Sequence, residues 1–417
     1  MWKRLIDDVT KVFNEDAFVN LVIKERIDNI KEEEKKLYTK ILYGVVENKK
    51  WLDFLLKPYV AGRRFKPFYK NALRIGIYAI SYLNVPNHYI VNSIVEVVKK
   101  KDFKGSKAIN FILRNYDLDK REIKAQEEIE KLNTEEKESI IYNIDLEVLR
   151  LIKKDYPNDY HNILKNEEEN YNIYRINLLK CKIEDVTNYL DKEEIKYEVE
   201  EEKLITKSNL IHTVLFSDAW IIPQDSSSMK VAKVMAPKEG AEILDTCAAP
   251  GSKSFHLAML MKNTGSILSC DIYPHKVKLI LDEAHRQGIT NIKAIVADAS
   301  NFDYGKSYEY VLCDAPCSGM GTMKHKGDLK LKLTIEKINE IVSLQEKILD
   351  NVSKYVMEKG ILVYSTCTIN KDENEKQIEK FINKHNEFKV IEEISLLPTA
   401  MNDGFYICKM KKGLTHE

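Results

Sequence analysis

The stretch that decides the fold is Asp-Thr-Cys-Ala-Ala-Pro-Gly-Ser-Lys-Ser, at positions 245–254. Apolar residues dominate the segments on either side of it, at 241–244 and 255–260, so the pattern predicts a strand, a tight turn and a helix. Small residues let backbone amides approach a ligand closely, and the helix start adds unpaired N–H groups. The stretch therefore indicates the opening unit of a nucleotide-binding α/β sheet, although a plain strand–turn–helix connection has the same local pattern.

Four more candidate strands follow this unit, and they alternate with candidate helices. This alternation predicts a parallel sheet with helices on both faces. Each of the five strand ends carries an acid, a small-residue turn or a cysteine; they lie at Cys247, Asp271, Asp298, Asp314 and Thr366. Because ligands of open α/β sheets bind at the carboxyl ends of the strands, the five ends together predict one site.

Two of these acids suit a cofactor that contains adenosine. Asp271 lies 20 residues after Gly251, where a carboxylate accepts hydrogen bonds from ribose hydroxyls. Asp298, within Ala-Asp-Ala at 297–299, could meet the adenine edge. Either acid alone is equally well explained as a strand-end or helix cap, and it is their order along the chain that favours a cofactor.

Two cysteines stand on turns after the fourth and fifth strands, in Asp-Ala-Pro-Cys-Ser-Gly at 314–319 and Ser-Thr-Cys-Thr at 365–368. If these strands are neighbours, about 4.8 Å apart, Cys317, Cys367 and Asp314 converge. Buried structural thiols are one alternative. Zinc is another, because Cys313 and Cys317 have ligand-like spacing, but alternation along a strand would part them, and no paired Cys/His motif accompanies them.

Two thiols and an acid beside an adenosine cofactor fit methylation of a pyrimidine carbon. Cytosine C5 is a poor nucleophile, and a thiolate that adds at C6 makes C5 enamine-like, so that C5 can attack the methyl group of S-adenosylmethionine. An acid at N3/N4 stabilises the adduct, and a second group helps to remove the C5 proton. The residues alone leave open which thiol attacks.

The first ~120 residues have a helical pattern throughout. One face carries Leu73, Ile77, Ile80 and Leu83, and a second helix is predicted to begin after Asn87, its cap. Basic residues cluster at two helix ends, Arg63, Arg64, Lys66 and Lys70 at one and Lys99, Lys100, Lys101, Lys104 and Lys107 at the other. They predict a phosphate-contacting surface, with solvated helix faces as the alternative.

The composition of the chain limits the classes of protein to which it can belong. The 417 residues carry 65 basic and 65 acidic side chains, for a net charge of zero, but positions 57–121 have a net charge of +10 and positions 122–204 a net charge of −10. Seven irregularly spaced cysteines argue against a disulfide framework and favour a reducing cytosol. We expect no signal peptide and no membrane span, because acids come early and no apolar run reaches ~18 residues.

The ordered motifs resemble those of RNA 5-methylcytosine methyltransferases. They are 245–254, the strand before Asp271, 297–299, 314–322 and 364–368, with further matches at 224–228 and 403–406. The helices at 73–83, 91–96 and 108–114 resemble the NusB-like RNA-binding domain. Together these parts resemble the RsmB (Sun/Fmu) subfamily, which acts on small-subunit (16S) ribosomal RNA, over nearly the whole chain.

The resemblance implies a multidomain protein with a NusB-like all-α domain at 1–125, a linker and small α/β subdomain at 126–235, and a doubly wound, Rossmann-like catalytic domain at 236–417 with seven strands. Its cofactor would be S-adenosylmethionine, its partner small-subunit ribosomal RNA, its state monomeric and its place the cytoplasm. By resemblance Cys367 is the nucleophile, Cys317 helps to release the product, and Asp314 contacts the base. The residues expected to hold the cofactor are Cys247, Ala248, Ala249, Pro250, Gly251, Ser252, Lys253, Asp271, Asp298 and Asp314.

The chain departs from the family pattern at two places. Gly-Gly-Lys-Thr is replaced by Gly-Ser-Lys-Ser at 251–254, and the proline of a basic-His-Pro-Asp stretch is replaced by Gly327. A further segment, Asn-Lys-Asp-Glu at 370–373, resembles a structural capping box. A transfer RNA enzyme and a non-catalytic RNA-binding assembly factor are the alternative functions; a factor of the second kind would be expected to have lost a cysteine or the ribose acid.

Overall fold

A computed structural model describes residues 1–15, 17–165 and 171–413. The chain forms two compact units, one made of Met1–Pro157 with His325–Thr334, the other of Asn158–Lys324 with the residues from Ile335 onward. The predicted boundaries at 125/126 and 235/236 divide the chain more finely and stay a prediction. Among the described residues, no helix combines the length and the apolar character needed to cross a bilayer.

The helices are numbered along the chain. They are α1 (Trp2–Asn14), α2 (Val19–Arg26), α3 (Glu32–Glu47), α4 (Lys49–Val60), α5 (Pro67–Tyr82), α6 (Asn87–Lys99), α7 (Phe103–Leu118), α8 (Arg121–Ile129), α9 (Thr134–Ile141), α10 (Leu146–Asp155), α11 (Tyr160–Leu164), α12 (Ile183–Lys192), α13 (Val214–Ser217), α14 (Ser226–Met235), α15 (Ser252–Leu260), α16 (Pro274–Gln287), α17 (Leu329–Lys332), α18 (Ile335–Val352) and α19 (Glu375–Lys384).

The strands are numbered in the same way. They are β1 (Asn172–Ile176), β2 (Tyr197–Glu200), β3 (Lys203–Thr206), β4 (Ile221–Pro223), β5 (Glu242–Asp245), β6 (Ser266–Asp271), β7 (Ile292–Val296), β8 (Tyr308–Asp314), β9 (Val356–Thr366), β10 (Phe388–Leu396) and β11 (Phe405–Lys412).

The first unit is helical, as predicted. Helices α5, α6 and α7 bury the apolar stripes that their sequence period indicates, and Leu73 and Ile77 have no exposed surface. The predicted cap at Asn87 is wrong: α6 begins at Asn87, Pro86 occupies the cap position, and no side chain caps the helix. A proline suits this place because the N–H it lacks would have had no partner within the helix.

A segment from late in the chain completes the helical unit. The Val19 N–H donates to Asp328 Oδ2 at 2.9 Å, the Lys332 ammonium donates to the Ala17 carbonyl at 2.7 Å, and Leu331 packs against the helical core. A Cβ atom on Gly327 would stand 2.6 Å from Glu47 Cγ. The glycine found where the family has proline therefore fits this packing, because a larger residue would have to displace Glu47.

The second unit contains two sheets. The smaller has the order β2-β3-β1-β4, its pairs are antiparallel, and its core includes Val186 and Leu190 of α12. This is the small α/β part that the sequence predicts. It precedes the larger sheet along the chain.

Within 171–413 the larger sheet has seven strands in the order β10-β11-β9-β8-β5-β6-β7. The five predicted strands run parallel, and β10 and β11 add an antiparallel edge. Because the strand order reverses direction at β5, a crevice opens at the carboxyl ends there. Two predicted ends were too late: β5 ends at Asp245 and β7 at Val296, because the next residues, Thr246 and Ala297, already lie outside the paired register.

Candidate active site

The loop between β5 and α15 has the geometry of a ligand cradle. Gly251 has a φ of +108°, and a Cβ atom there would stand 2.2 Å from the Phe255 ring, so glycine is required. Ser252 is the first residue of α15, and the serine that replaces the family's glycine therefore adopts ordinary helical backbone. No side chain caps this helix, and its first-turn N–H groups remain available to an anion.

The junction of β5 and α15 is fixed by a hydrogen bond to Asp245, a residue that the predicted site did not include. Ser254 Oγ donates to Asp245 Oδ2 at 2.6 Å and lies 2.8 Å from Ser269 Oγ. Burial raises the pKa of Asp245 to about 7, against the effect of the Ser254 hydrogen bond. The position of Asp245 at a strand end was visible in the sequence, but its partner Ser254, nine residues later, could be identified only from the fold.

The two acids predicted for the adenosine moiety lie after neighbouring strands. Asp271 ends β6 and accepts the Tyr273 N–H at 3.0 Å, and Lys276 Nζ lies 3.6 Å from its second oxygen. Asp298 accepts both the N–H and the hydroxyl of Ser300, at 2.9 and 2.7 Å, and these bonds lower its pKa. Amides at a helix start with two carboxylates beside them suit a ligand that carries an anionic end, a ribose diol and an adenine amine. The residues present therefore fit an adenosine cofactor.

The two predicted thiols meet at the carboxyl ends of β8 and β9. Cys313 pairs with Tyr364 and Asp314 with Ser365 in the parallel register, so the turns that follow emerge side by side. Cys317 Sγ lies 3.3 Å from Cys367 Sγ. Cys313 is fully buried within β8, whereas Cys317 lies on the turn after that strand.

Lys253, at the start of α15, reaches Asp314, the acid predicted to contact the base. Lys253 Nζ lies 2.6 Å from Asp314 Oδ2, and Ser365 Oγ donates to Asp314 Oδ1 at 2.8 Å. Burial lowers the pKa of Lys253, but the attraction and hydrogen bond of Asp314 outweigh burial and raise it. Ser365 was missed as a site residue, although it directly precedes the Thr-Cys-Thr turn.

The two thiols have different electrostatic surroundings. The hydrogen bond to Cys367, burial, and the negative charges of Cys367, Glu373 and Asp314 raise the pKa of the Cys317 thiol well above its usual value. Cys367 instead lies close enough to the Lys253 ammonium for attraction between them. At neutral pH this arrangement keeps the proton on Cys317 and places the nearby cation beside Cys367.

The segment at 370–373 is not a capping box. Helix α19 begins at Glu375, and no side chain caps it. Glu373 is buried, and its carboxylate accepts the Ser318 N–H at 2.8 Å and the Asn370 side-chain amide at 3.0 Å. The spacing that resembles a cap instead ties this segment to the Cys317 turn, and only the fold brings these parts together.

In the helical unit, the two basic clusters share one face. Lys101 Nζ lies 4.1 Å from the centre of the Phe68 ring, and Tyr69 OH donates to Asp102 Oδ2 at 3.2 Å. These contacts join the start of α5 to the turn between α6 and α7. Lysines and arginines of both clusters are exposed around them: Arg63, Arg64, Lys66, Lys99, Lys100, Lys101, Lys104 and Lys107.

Comparison with known proteins agrees with this architecture. Residues 232–411 match the family described as 16S rRNA methyltransferase RsmB/F, and residues 4–117 match the NusB family. The chain has the fold of the crystal structure of PH0851, with a TM-score of 0.82 and 23% identity over 99% of each chain. It also resembles NSun6 from Pyrococcus horikoshii, solved with SFG, with a TM-score of 0.58 and 22% identity over 64% of this chain and 98% of that one.

Curated relatives match over nearly the full length. The probable ribosomal RNA small subunit methyltransferase B of Bacillus subtilis (strain 168) is 30% identical over 98% of this chain and 97% of its own. The ribosomal RNA small subunit methyltransferase B of Shewanella oneidensis is 27% identical over 92% of both. With a cofactor cradle, two adjoining thiols and this extent of similarity, the chain belongs to the RsmB/F family of 16S rRNA methyltransferases, whose cofactor is S-adenosylmethionine.

Proposed function

We propose that this protein methylates C5 of a specific cytosine in small-subunit (16S) ribosomal RNA through a covalent bond between Cys367 and C6 of the base. The observation that carries the proposal is the pair of thiol sulfurs 3.3 Å apart, beside the ion pair of Lys253 and Asp314. S-adenosylmethionine supplies the methyl group when bound. The proposed location of the protein is the cytoplasm, and its proposed oligomeric state is a monomer.

The proposed chemistry begins with the Cys367 thiolate. Its sulfur forms a bond to C6, and the electrons of the C5=C6 double bond move to C5, which takes the methyl group. The C5–H bond then breaks, its electrons re-form the double bond, and the S–C6 bond breaks to release Cys367 as a thiolate. Asp314 holds the N3/N4 edge of the base, and Lys253 and Ser365 hold Asp314.

The surroundings of the thiols support this division of roles. Lys253 stabilises negative charge on Cys367, which favours attack by that sulfur. Once Cys367 is bonded to C6 it is a neutral thioether, so it no longer raises the pKa of Cys317 by accepting a hydrogen bond or by its charge. Formation of the adduct therefore lowers the pKa of Cys317, so this thiol can release its proton to solvent and then accept the C5 proton as a thiolate.

The exposed basic face of the helical unit supports an RNA substrate. Lysine and arginine side chains neutralise phosphates, and the exposed ring of Phe103, next to Lys104 in the chain, can stack on bases. A cytosine within a duplex has to leave the base stack before its C6 atom can reach the Cys367 sulfur. The proposed roles are therefore phosphate contact for the helical unit and chemistry for the carboxyl ends of β8 and β9.

The test replaces each thiol with alanine and supplies labelled S-adenosylmethionine and unmodified 16S ribosomal RNA. We expect Cys367→Ala to abolish transfer and Cys317→Ala to accumulate RNA covalently bound to protein on a denaturing gel. Bisulfite sequencing of the wild-type product should show one protected cytosine. If Cys317→Ala turns over normally without an adduct, the two-thiol mechanism is wrong.

The same assay separates the alternatives. Transfer to transfer RNA but not to 16S ribosomal RNA would identify a transfer RNA enzyme. Cofactor binding without transfer to either RNA would favour a non-catalytic assembly factor. Both thiols, Asp271 and Asp314 are present, which favours the enzyme.

A further inference from the structure

Two consecutive residues, Glu373 and Asn374, are buried behind the thiols and take no part in the chemistry described above. Their exposed fractions are 0% and 2%. Each contacts the turn of a different cysteine, although the two turns are 50 residues apart in the chain. Burying a carboxylate without a salt bridge is costly unless hydrogen bonds satisfy it, so this placement calls for a role.

Glu373 holds the turn of Cys317 on both sides. Its Oε2 atom accepts the Ser318 N–H at 2.8 Å and the Gln345 side-chain amide at 3.0 Å. The same Gln345 nitrogen donates to the Pro316 carbonyl at 2.9 Å. The backbone before and after Cys317 is thus fixed, directly on one side and through Gln345 on the other.

Asn374 holds the turn of Cys367 in the corresponding way. Its Oδ1 atom accepts the Thr366 hydroxyl at 2.6 Å, and its Nδ2 atom donates to the Thr368 carbonyl at 3.0 Å. One cross-link joins the two turns, because Ser318 Oγ and Thr368 Oγ1 lie 2.7 Å apart. Two adjacent positions on one backbone therefore determine where both sulfurs lie.

We infer that Glu373 and Asn374 are the positioning residues of the two-thiol site, Asn374 orienting Cys367 for attack on C6 and Glu373 orienting Cys317 for the release step. The inference rests on the proposed function. In the release step the C5 proton passes toward Cys317 as the S–C6 bond breaks, and a displacement of about 1 Å in such a step costs on the order of 100-fold in rate. Loss of each residue therefore affects a different half of the reaction.

The experiment compares Glu373→Gln and Asn374→Asp, two nearly isosteric changes, on two RNA substrates. One is 16S ribosomal RNA made in vitro; the other is the same RNA made with 5-fluorocytidine, whose C5–F bond blocks release and so reports adduct formation alone. We expect Glu373→Gln to lower turnover at least tenfold, to accumulate adduct on ordinary RNA and to form adduct on fluorinated RNA at the wild-type rate. We expect Asn374→Asp to form adduct at least tenfold more slowly on both.

Tyr174→Phe is the matched control. It removes a buried tyrosine hydroxyl in the smaller sheet, which accepts the Leu210 N–H at 2.9 Å, and should change neither step more than about threefold. If Glu373→Gln does not fold, Glu373→Asp replaces it, because aspartate keeps the charge but has a shorter side chain. We expect Glu373→Asp to accumulate covalent adduct on ordinary RNA in the same way.

The outcomes separate this inference from the function on which it rests. Equal slowing of adduct formation in both variants, with no accumulation in Glu373→Gln, overturns the inference, because a merely structural support would affect both steps alike. If Cys317→Ala itself accumulates no adduct, it is the proposed function that fails. Accumulation in both Cys317→Ala and Glu373→Gln supports both.

Discussion

At the residue scale, Lys253 joins the start of α15 to Asp314, the proposed base-contacting acid. Its side chain, 12% exposed, pairs with Asp314 at 2.6 Å and is attracted to Cys367. Removal of this ammonium leaves Asp314 and Cys367, two groups that both carry negative charge when active, without the nearby cation. Electrostatic stabilisation of this kind is worth most in a site that excludes water.

We therefore expect Lys253→Met to lower kcat by roughly 100-fold and to slow the reaction of Cys367 with iodoacetamide at neutral pH, measured in a Cys317→Ala background. The matched variant is Lys253→Arg, which keeps the positive charge. It should retain more of the kcat and more of the rate of Cys367 alkylation than Lys253→Met. Unchanged alkylation in Lys253→Met would show that this ammonium does not set the reactivity of Cys367.

The residues proposed to act on the base were easier to predict than those that hold them in place. Cys317, Cys367 and Asp314 were predicted because each follows an apolar strand within a motif. Ser365, Gln345 and Glu373 were not, because their roles depend on hydrogen bonds across strand register or between segments far apart. Such partners have no periodic signal in the sequence.

At the scale of elements, the junction of β5 and α15 depends on one backbone angle. Gly251→Ala places a Cβ in a left-handed conformation 2.2 Å from the Phe255 ring. We expect affinity for S-adenosylmethionine to fall at least tenfold, about 1.4 kcal/mol, and the free energy of unfolding to fall by about 1–3 kcal/mol. Calorimetric titration and thermal unfolding measure these effects. Gly305→Ala is the control, because Gly305 also has a positive φ, +72°, but lies outside the predicted site and an added Cβ there meets nothing within 4 Å.

A buried pair links the small sheet to α15. His256 Nε2 lies 3.1 Å from Glu202 Oε1, and His256 has no exposed surface. Burial, against the pull of Glu202, lowers the pKa of His256 to about 4. Burial would raise the pKa of Glu202, but hydrogen bonds from His256 and Lys233 help to lower it to about 2. In both cases the unfolded chain binds the proton more readily.

The stabilising effect of this pair is therefore complete above the unfolded pKa of His256, near 6.5, and is lost as the pH falls. We expect the free energy of unfolding to decrease between pH 6.5 and 4 by up to about 1.4 kcal/mol per pH unit for this histidine. His256→Gln should flatten that slope in urea titrations, and the same change at the exposed His285 should not. An equal slope in both variants would exclude His256 as its source.

Element types were more predictable than element partners. The five parallel strands follow from apolar runs that end in turn residues, and α5 to α7 from the helical period. Only the count of seven strands was expected, by resemblance; the antiparallel edge of β10 and β11 was not predicted, because pairing at an edge depends on which strand is adjacent. The site at β8 and β9 could be predicted because polar motifs mark both ends.

At the scale of the whole molecule, charge is segregated along the chain, and the basic face of the helical unit should govern RNA affinity. We expect Lys100→Glu with Lys101→Glu to weaken binding of 16S ribosomal RNA and to reduce the slope of log K against log salt by about one per lysine. Lys192→Glu with Lys196→Glu changes charge equally at exposed positions of the acidic region. Equal losses from the two pairs would mean that net charge alone, and not this face, sets the affinity.

The segment 325–334 has a consequence for how the protein is made. The helical unit spans 1–157 but is completed by residues that the ribosome adds 177 positions later. At about 5–20 residues per second that interval lasts roughly 9 to 35 seconds. During that interval, the apolar surface of the helices against which Leu331 later packs remains exposed. The backbone N–H of Val19 also lacks its hydrogen-bond acceptor, Asp328 Oδ2. The helical unit, although translated first, is therefore completed only after β8 has been synthesised. The two units thus finish folding at the same late stage of translation.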